Sequence, residues 1–166
     1  YEDPQTMFRG KASFAVPLAD WDTSNVKSLF RTFQDAKEFT GDLSTWDTAK
    51  VTDMRFTFKA VGNLNWSLSN WDTASVKDMT SMFEGDGASS VALNCALDLA
   101  DWDVSKTTRM TDMFRNRRTF DSDLRDWDTS SVESMVRMFS GPGQQIFASD
   151  VSNWDVSEVK EFEFMF

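Results

Sequence analysis

One segment of about 25 residues returns, with changes, six times along this chain. Each copy is marked by a tryptophan followed directly by an aspartate. The spacings between these tryptophans are 25, 25, 31, 25 and 27 residues. The tryptophans are Trp21, Trp46, Trp71, Trp102, Trp127 and Trp154. A period in this range is typical of stacked-repeat proteins, in which each unit contacts only its neighbours along one axis. The repeat constrains the fold more than any other feature of the sequence.

Apolar residues recur at fixed positions, numbered here relative to the tryptophan. Position −7 carries Phe, Leu or Cys, and position −3 carries Leu or Val. After the tryptophan, position +5 is Val in five copies, and position +12 is Phe in all six. All nine methionines fall at position +8 or +11 when Met7 is counted as the tail of an earlier copy. These positions are the predicted core of every repeat.

Two different periods lie inside one repeat. Positions −7 and −3 share one side of an extended segment, which predicts a short β-strand. Positions +5, +8, +11 and +12 share one face of a helix of about two turns. A helix this short does not persist alone in water, so each unit must stack on its neighbours. The sequence therefore predicts a repeat solenoid with one short strand and one short helix per coil.

The repeats form a single predicted domain over residues 1–166. A partial repeat is followed by six copies: residues 1–12, then 13–38, 39–63, 64–94, 95–119, 120–146 and 147–166. The third copy is six residues longer than the standard 25, and the extra Gly- and Ser-rich residues lie in 84–94. Neither end carries the polar capping unit of a free solenoid, so we expect either a segment of a longer array or ends that partner subunits cover.

The consensus F-x-x-D-L-S-x-W-D-T-S-x-V-x-x-M-x-x-M-F resembles the BspA-like surface-lipoprotein repeat family described from mycoplasmas. The resemblance covers nearly the whole chain. It implies a right-handed, leucine-rich-repeat-like solenoid and a cell-surface or extracellular setting. The molecular function of that family is mostly unassigned, so the resemblance transfers little chemistry. This chain departs from the consensus at Pro17, Thr32, Thr57, Cys95 and Thr107.

Composition excludes several functions. Seventeen basic against 27 acidic residues give a net charge of −10, which argues against nucleic acid as a partner. No apolar run is long enough to span a membrane. The absence of histidine excludes His-based triads, proton shuttles and metal sites, and no phosphate-binding loop is present, so we expect neither an enzyme nor a cofactor. The single cysteine, Cys95, takes a core position and is expected to be an inert thiol.

The aspartate at position +1 is the most regular polar feature. Stacking would place these carboxylates about 5 Å apart, where they repel one another. The favoured interpretation is an Asx turn, in which each carboxylate accepts a nearby backbone N–H. The weaker alternative is a ladder of calcium ligands, since calcium binds clustered oxygens. The six residues are Asp22, Asp47, Asp72, Asp103, Asp128 and Asp155.

Two further sets are candidates for binding. Polar residues at positions −4 and −2 are expected to face outward on the sheet, where leucine-rich-repeat-like proteins often bind partners. The set comprises Asp42, Ser44, Ser67, Ser69, Asp98, Asp123, Arg125, Asp150 and Ser152. The second set is a local basic cluster, Arg115, Arg117 and Arg118, which either pairs with Asp112 or Asp121 or binds an acidic partner.

The leading functional hypothesis is a non-enzymatic cell-surface or secreted module that binds protein or carbohydrate. One competing hypothesis is a structural subunit of an extracellular filament, coat or large assembly, whose partners are neighbouring repeats at the open ends. A weaker one is a calcium-dependent adhesive. All three follow from the repeat architecture and from the resemblance.

Overall fold

The computed structural model describes residues 3–11, 18–62, 67–87, 94–95, 97–117, 119–120, 122–141, 146–147 and 149–166. Regular elements are short: a 3-10 helix at Leu18–Asp20 and three parallel two-residue strands. The strands are β1 Asn94–Cys95, β2 Thr119–Phe120 and β3 Ile146–Phe147, in the order β1-β2-β3. Each occupies positions −8 and −7 of its repeat, so equivalent residues of successive repeats pair.

A second column of parallel pairing runs through position +7. It joins Ser28 to Asp53, Asp53 to Asp78, Asp78 to Arg109, Arg109 to Ser134 and Ser134 to Glu161. Each of these residues pairs with its equivalent in the preceding or following repeat. The described repeats therefore stack in chain order, each against the next.

The predicted helix after the tryptophan is wrong for the described repeats, which form consecutive turns there instead. We call positions +8 to +14 the turn ribbon; in the first complete repeat it is residues 29–35. Its alternate amides donate to the carbonyls of residues 53–59 in the next repeat, at 2.8 to 3.0 Å. Of the amides between them, those of residues 32 and 34 donate to the carbonyl three residues back, and that of residue 30 donates to the Ser28 hydroxyl. A two-turn helix is marginal by itself, so hydrogen bonds between repeats replace those within a helix.

The turn ribbon has the same strained backbone conformation in every repeat. Position +10 has a positive φ in all six repeats: Arg31 (57°), Phe56 (59°), Ser81 (55°), Asp112 (56°), Arg137 (51°) and Phe164 (56°). A positive φ at the third residue of a turn is the mark of the type II geometry. For residues other than glycine this backbone costs about 1–2 kcal/mol, which the hydrogen bonds between repeats offset.

The predicted strand is also shorter than expected. In the fourth to sixth repeats it ends at position −7, and residues 38–39 of the second repeat form no strand. Position −3 begins a turn closed by the amide of the tryptophan. That amide donates to the carbonyl at position −3 at 3.0 to 3.2 Å in all six repeats. The residue at −3 is still buried in five repeats, from Leu18 to Leu124, because the turn directs its side chain inward.

Two aromatic ladders fill the core, as the repeated positions predict. Phenylalanines at +12 stack with ring centroids 5.3 to 5.7 Å apart through Phe8, Phe33, Phe58, Phe83, Phe114, Phe139 and Phe166. Beside them the indoles of Trp46 and Trp71 stack at 6.5 Å, and those of Trp127 and Trp154 at 6.1 Å. Offset stacking at these distances adds to the free energy of burying each ring.

Each indole also fixes the repeat before it. From the second repeat onward, Nε1 donates to the carbonyl at position −3 of the preceding repeat, at 2.9 to 3.1 Å. Trp71, for example, donates to Leu43 at 3.1 Å. Phenylalanine could stack here but could not donate. The tryptophan is therefore required for its N–H as well as for its area.

The three threonines that depart from the consensus are fully buried. The hydroxyl of Thr32 has no hydrogen-bond partner among the described residues, and the other two are hydrogen-bonded. Thr107 donates through Oγ1 to the Val76 carbonyl at 3.1 Å, and Thr57 donates to the Met54 and Leu29 carbonyls at 2.7 and 3.1 Å. Both side chains are fully buried, so these bonds satisfy hydroxyls that would otherwise destabilise the core. Pro17 and the side chain of Cys95 lie outside the described residues.

We expect Trp71→Phe to lower the free energy of unfolding by about 0.5–1.5 kcal/mol, because the Leu43 carbonyl loses the indole donor and keeps only the Trp46 amide. Trp71→Ala should cost about 3–5 kcal/mol, since the stacked ring is lost as well. Urea unfolding measures both, with exposed Val156→Ala as a control expected to change by less than about 0.5 kcal/mol. A Phe variant as stable as the parent would contradict the role given to the indole N–H.

Candidate functional site

The aspartates at position +1 form Asx turns in all six repeats. Each carboxylate oxygen accepts the backbone N–H two residues later, at 2.9 to 3.1 Å. Where that later residue is Ser24 or Ser130, its hydroxyl also donates to the same oxygen at 2.6 Å. This is the Asx-turn geometry that the sequence analysis favoured. Across the part of the chain that the structure describes, no group of three Asp, Glu or Cys residues could hold a metal ion.

These hydrogen bonds lower the pKa of several of the position +1 aspartates. The Ser24 hydroxyl and then its amide hold the pKa of Asp22 below the ordinary value of 3.8. Ser105 does the same for the pKa of Asp103, and the Ser157 amide for the pKa of Asp155. Each donor stabilises the charged carboxylate, so protonation weakens the turn.

The candidates at positions −4 and −2 lie at the surface but not on a flat sheet. Asp42 accepts the Ser44 amide at 2.9 Å, and Asp123 accepts the Arg125 amide at 3.1 Å. The same bond joins Ser69 to Ser67 and Ser152 to Asp150. Their side chains therefore shape the corner before the tryptophan, and the predicted sheet face is wrong because the strand ends earlier. Asp98 is exposed at the same corner.

The predicted basic cluster is not one surface. Arg115 is partly exposed and pairs with Asp112 at 3.5 Å and with Glu84 at 3.8 Å. Arg117, by contrast, is 1% exposed and is a core residue. Its guanidinium donates to the carbonyls of Phe83 and of Val61, the latter at 3.2 Å. Arg118 and Asp121 lie outside the described residues.

Arg117 has a structural explanation in the long third repeat. Position +15 is Ala36 in the first repeat and Val61 in the second, and both are buried. The insertion follows this position in the third repeat, and Arg117 takes it in the fourth. Its long side chain reaches carbonyls of both preceding repeats, satisfying acceptors that would otherwise be unpaired. The arginine therefore joins three repeats.

Ion pairs connect four repeats along the turn ribbon. Lys59 pairs with the buried Glu84 at 2.6 Å, and Glu84 lies 3.8 Å from Arg115. Asp112 then holds Arg137 through two hydrogen bonds, at 2.8 and 2.9 Å. Bidentate arginine–carboxylate pairs are both stronger and more directional than single contacts. The middle of the turn ribbon is thus internally charge-neutralised.

Sequence reasoning missed a second cluster, which we call the aromatic–cationic patch: Phe30, Arg31, Arg55, Phe56 and Lys59. All five are partly exposed at positions +9, +10 and +13 of the first two repeats. The Phe30 and Phe56 rings meet edge to face at 5.9 Å. The guanidinium of Arg31 lies over both rings, 4.8 and 5.0 Å from their centroids. The available signal was that the residues at positions +9 and +10 differ in charge and polarity between repeats, while position +8 is always apolar and position +12 is always Phe.

The other two cations of the patch are held by carboxylates as well as rings. Arg55 lies 4.9 Å from the Phe30 centroid and binds Asp53 through two hydrogen bonds, at 2.7 and 2.9 Å. Lys59 lies 5.6 Å from the Phe56 centroid. The hydrogen bonds that Arg55 donates to Asp53 raise the pKa of the arginine, which therefore stays charged. The patch is a local positive and aromatic surface on an acidic chain.

We expect acid to destabilise the fold through the Asx turns. An aspartate whose pKa is lowered by folding stabilises the fold above its unfolded pKa, and this contribution disappears as pH falls through the folded value. The variant with Asp22, Asp103 and Asp155 changed to Asn keeps the acceptors but loses the charge. Its melting temperature should therefore fall less than that of the parent between about pH 6 and about pH 2.5. Equal losses would contradict the electrostatic role of these residues.

No helix among the described residues is long and apolar enough to span a membrane. The chain matches no curated protein and no solved structure. It does match one family in two overlapping segments, residues 2–95 and 87–166. These segments together cover the six tryptophan repeats described above. The protein belongs to the DUF285 family, described as Mycoplasma protein of unknown function.

Proposed function

We propose that this chain is a non-enzymatic binding module at a cell surface or in the secreted space. We further propose that its stack is a right-handed, leucine-rich-repeat-like solenoid of the BspA-like kind, with protein or carbohydrate as the ligand. The family to which the chain belongs is described as a Mycoplasma protein, which supports the resemblance to a mycoplasma repeat family. In this proposal, the tryptophan and phenylalanine ladders supply a rigid support, and the exposed positions of the turn ribbon supply recognition.

The observation that carries the proposal is the aromatic–cationic patch. Exposed aromatic and arginine side chains dominate the binding energy of protein interfaces when they cluster. Here two phenylalanines and three cations lie together on a chain of net charge −10. Their backbone is fixed by hydrogen bonds to the neighbouring repeats, so little conformational entropy is lost on binding.

Replacing one ring of the patch tests the proposal. Asparagine tolerates the left-handed backbone at position +10, so Phe56→Asn removes the ring without adding strain. The parent and variant are immobilised and exposed to an acidic peptide, an acidic oligosaccharide and a neutral oligosaccharide. We expect at least one probe to bind the parent and to bind the variant at least tenfold more weakly.

The matched control is Phe164→Asn. Phe164 occupies the same position +10, has a φ of 56°, and is 76% exposed in the sixth repeat. Its replacement should leave binding unchanged, because it lies outside the patch. Binding of no probe, or equal losses in both variants, would contradict a recognition role for the patch.

A further inference from the structure

We propose that the aromatic–cationic patch is a receptor for a carboxylate side chain carried by an acidic segment of a partner protein, and that Arg31 is the residue that binds it. This inference rests on the proposed binding function and names the chemistry of the ligand. Its basis is the difference between Arg31 and every other cation around it.

Arg31 is the cation of the patch whose charge no described carboxylate neutralises. Arg55 is bound by Asp53, and Lys59 by Glu84. No carboxylate among the described residues lies within ion-pair distance of Arg31. Arg137 occupies the same position +10 in the fifth repeat, with nearly the same φ, yet Asp112 holds it through two hydrogen bonds. The fold thus builds one occupied and one open version of the same arginine site.

The guanidinium of Arg31 is already oriented for a ligand. Its stacking on Phe30 and Phe56 restricts the plane of the group, which reduces the entropy lost on binding. Its Nε is buried and has no hydrogen-bond partner. The two terminal nitrogens are not buried in this way, and they make no hydrogen bond within the described residues. They form an open pair of donors whose spacing suits the two oxygens of a carboxylate.

The ring geometry favours a peptide over a sugar. A sugar ring binds by lying flat on a free aromatic face. Here each phenylalanine ring already has two cations over it, Arg31 and Arg55 on Phe30, and Arg31 and Lys59 on Phe56. The exposed ring edges instead suit an apolar side chain next to the carboxylate. A glutamate or aspartate beside a leucine-like residue fits both features.

The net charge of the chain opposes an acidic partner only at long range. At physiological ionic strength charges separated by more than about 8 Å are largely screened. Within that distance the ligand meets Arg31, which no described carboxylate pairs. The neighbouring carboxylates Asp53 and Glu84 are already engaged by Arg55, Lys59 and Arg115. The local charge therefore decides the contact, and the affinity should fall as salt is raised.

The test uses a labelled peptide with one Glu-Leu-Glu segment in a glycine–serine context, and the same peptide with both glutamates changed to glutamine. Binding to the full chain is followed by backbone amide shifts in nuclear magnetic resonance, which detect weak contacts. We expect the acidic peptide to shift the amides of residues 30–31 and 55–59. The glutamine peptide should bind at least tenfold more weakly.

Two arginine variants decide the assignment. Arg31→Gln should abolish the shifts, while Arg137→Gln, at the same position but with its carboxylate built in, should retain them. Arg31→Lys keeps the charge but not the planar pair of donors, and should bind with intermediate affinity. Preserved amide dispersion in each variant shows that the fold is intact.

Two comparison probes separate failure of this inference from failure of the proposed function. They are a uronic-acid oligosaccharide and vesicles that contain an anionic lipid. If the oligosaccharide binds at the patch and the peptide does not, the patch is a binding site for sugar and the peptide assignment is overturned alone. Vesicle binding with no peptide binding overturns it in the same way. If none of the probes binds, or if Arg31→Gln leaves peptide binding unchanged, the inference is wrong.

Discussion

The structure depends on where the alternate amides of the turn ribbon find their acceptors. Each buried N–H must be paired, and a segment of two helical turns offers too few internal partners to be stable alone. Stacking supplies acceptors from the next repeat at every second residue. The positive φ at position +10 goes with this arrangement, because the chain makes a type II turn between the amides that donate to the next repeat. Stability is therefore shared between neighbours rather than held inside any one repeat.

The core could be predicted from the sequence, and the backbone path could not. Residues such as Trp71 and Phe83 recur at fixed positions, and burial follows from that recurrence alone. The spacing of positions +5, +8 and +12 suits one face of a helix as well as it suits the turn ribbon, so periodicity could not separate them. One signal was present at position +14, where Asp35, Gly85 and Asn116 are residue types that tolerate turns. The two-residue strands give no pattern long enough to predict.

The sequence predicted the Asx turns of the candidate site but not the aromatic–cationic patch. The Asx bonds of the aspartate ladder involve residues two apart in sequence, so local chemistry was sufficient to predict them. The patch joins Phe30 to Phe56 and Arg31 to both, which requires knowing that positions +9 and +10 of adjacent repeats touch. Arg117 was mispredicted for the same reason, because its contacts also lie in other repeats. Its sequence neighbours suggest a basic surface, while its real partners are carbonyls in two other repeats.

The residue at position +10 has a consequence for how such a protein can diversify. Its backbone is held by the same pair of hydrogen bonds in the repeats from Arg31 to Arg137, whether the side chain is Arg, Phe, Ser or Asp. These backbone hydrogen bonds therefore do not depend on which side chain occupies the position. Because adjoining repeats connect through interchangeable bonds, genetic recombination that shuffles, duplicates or deletes whole repeats would reorder the exposed side chains without a new core being required. Exchange of whole repeats would thus change the side chains at position +10 and keep the backbone hydrogen bonds that hold them.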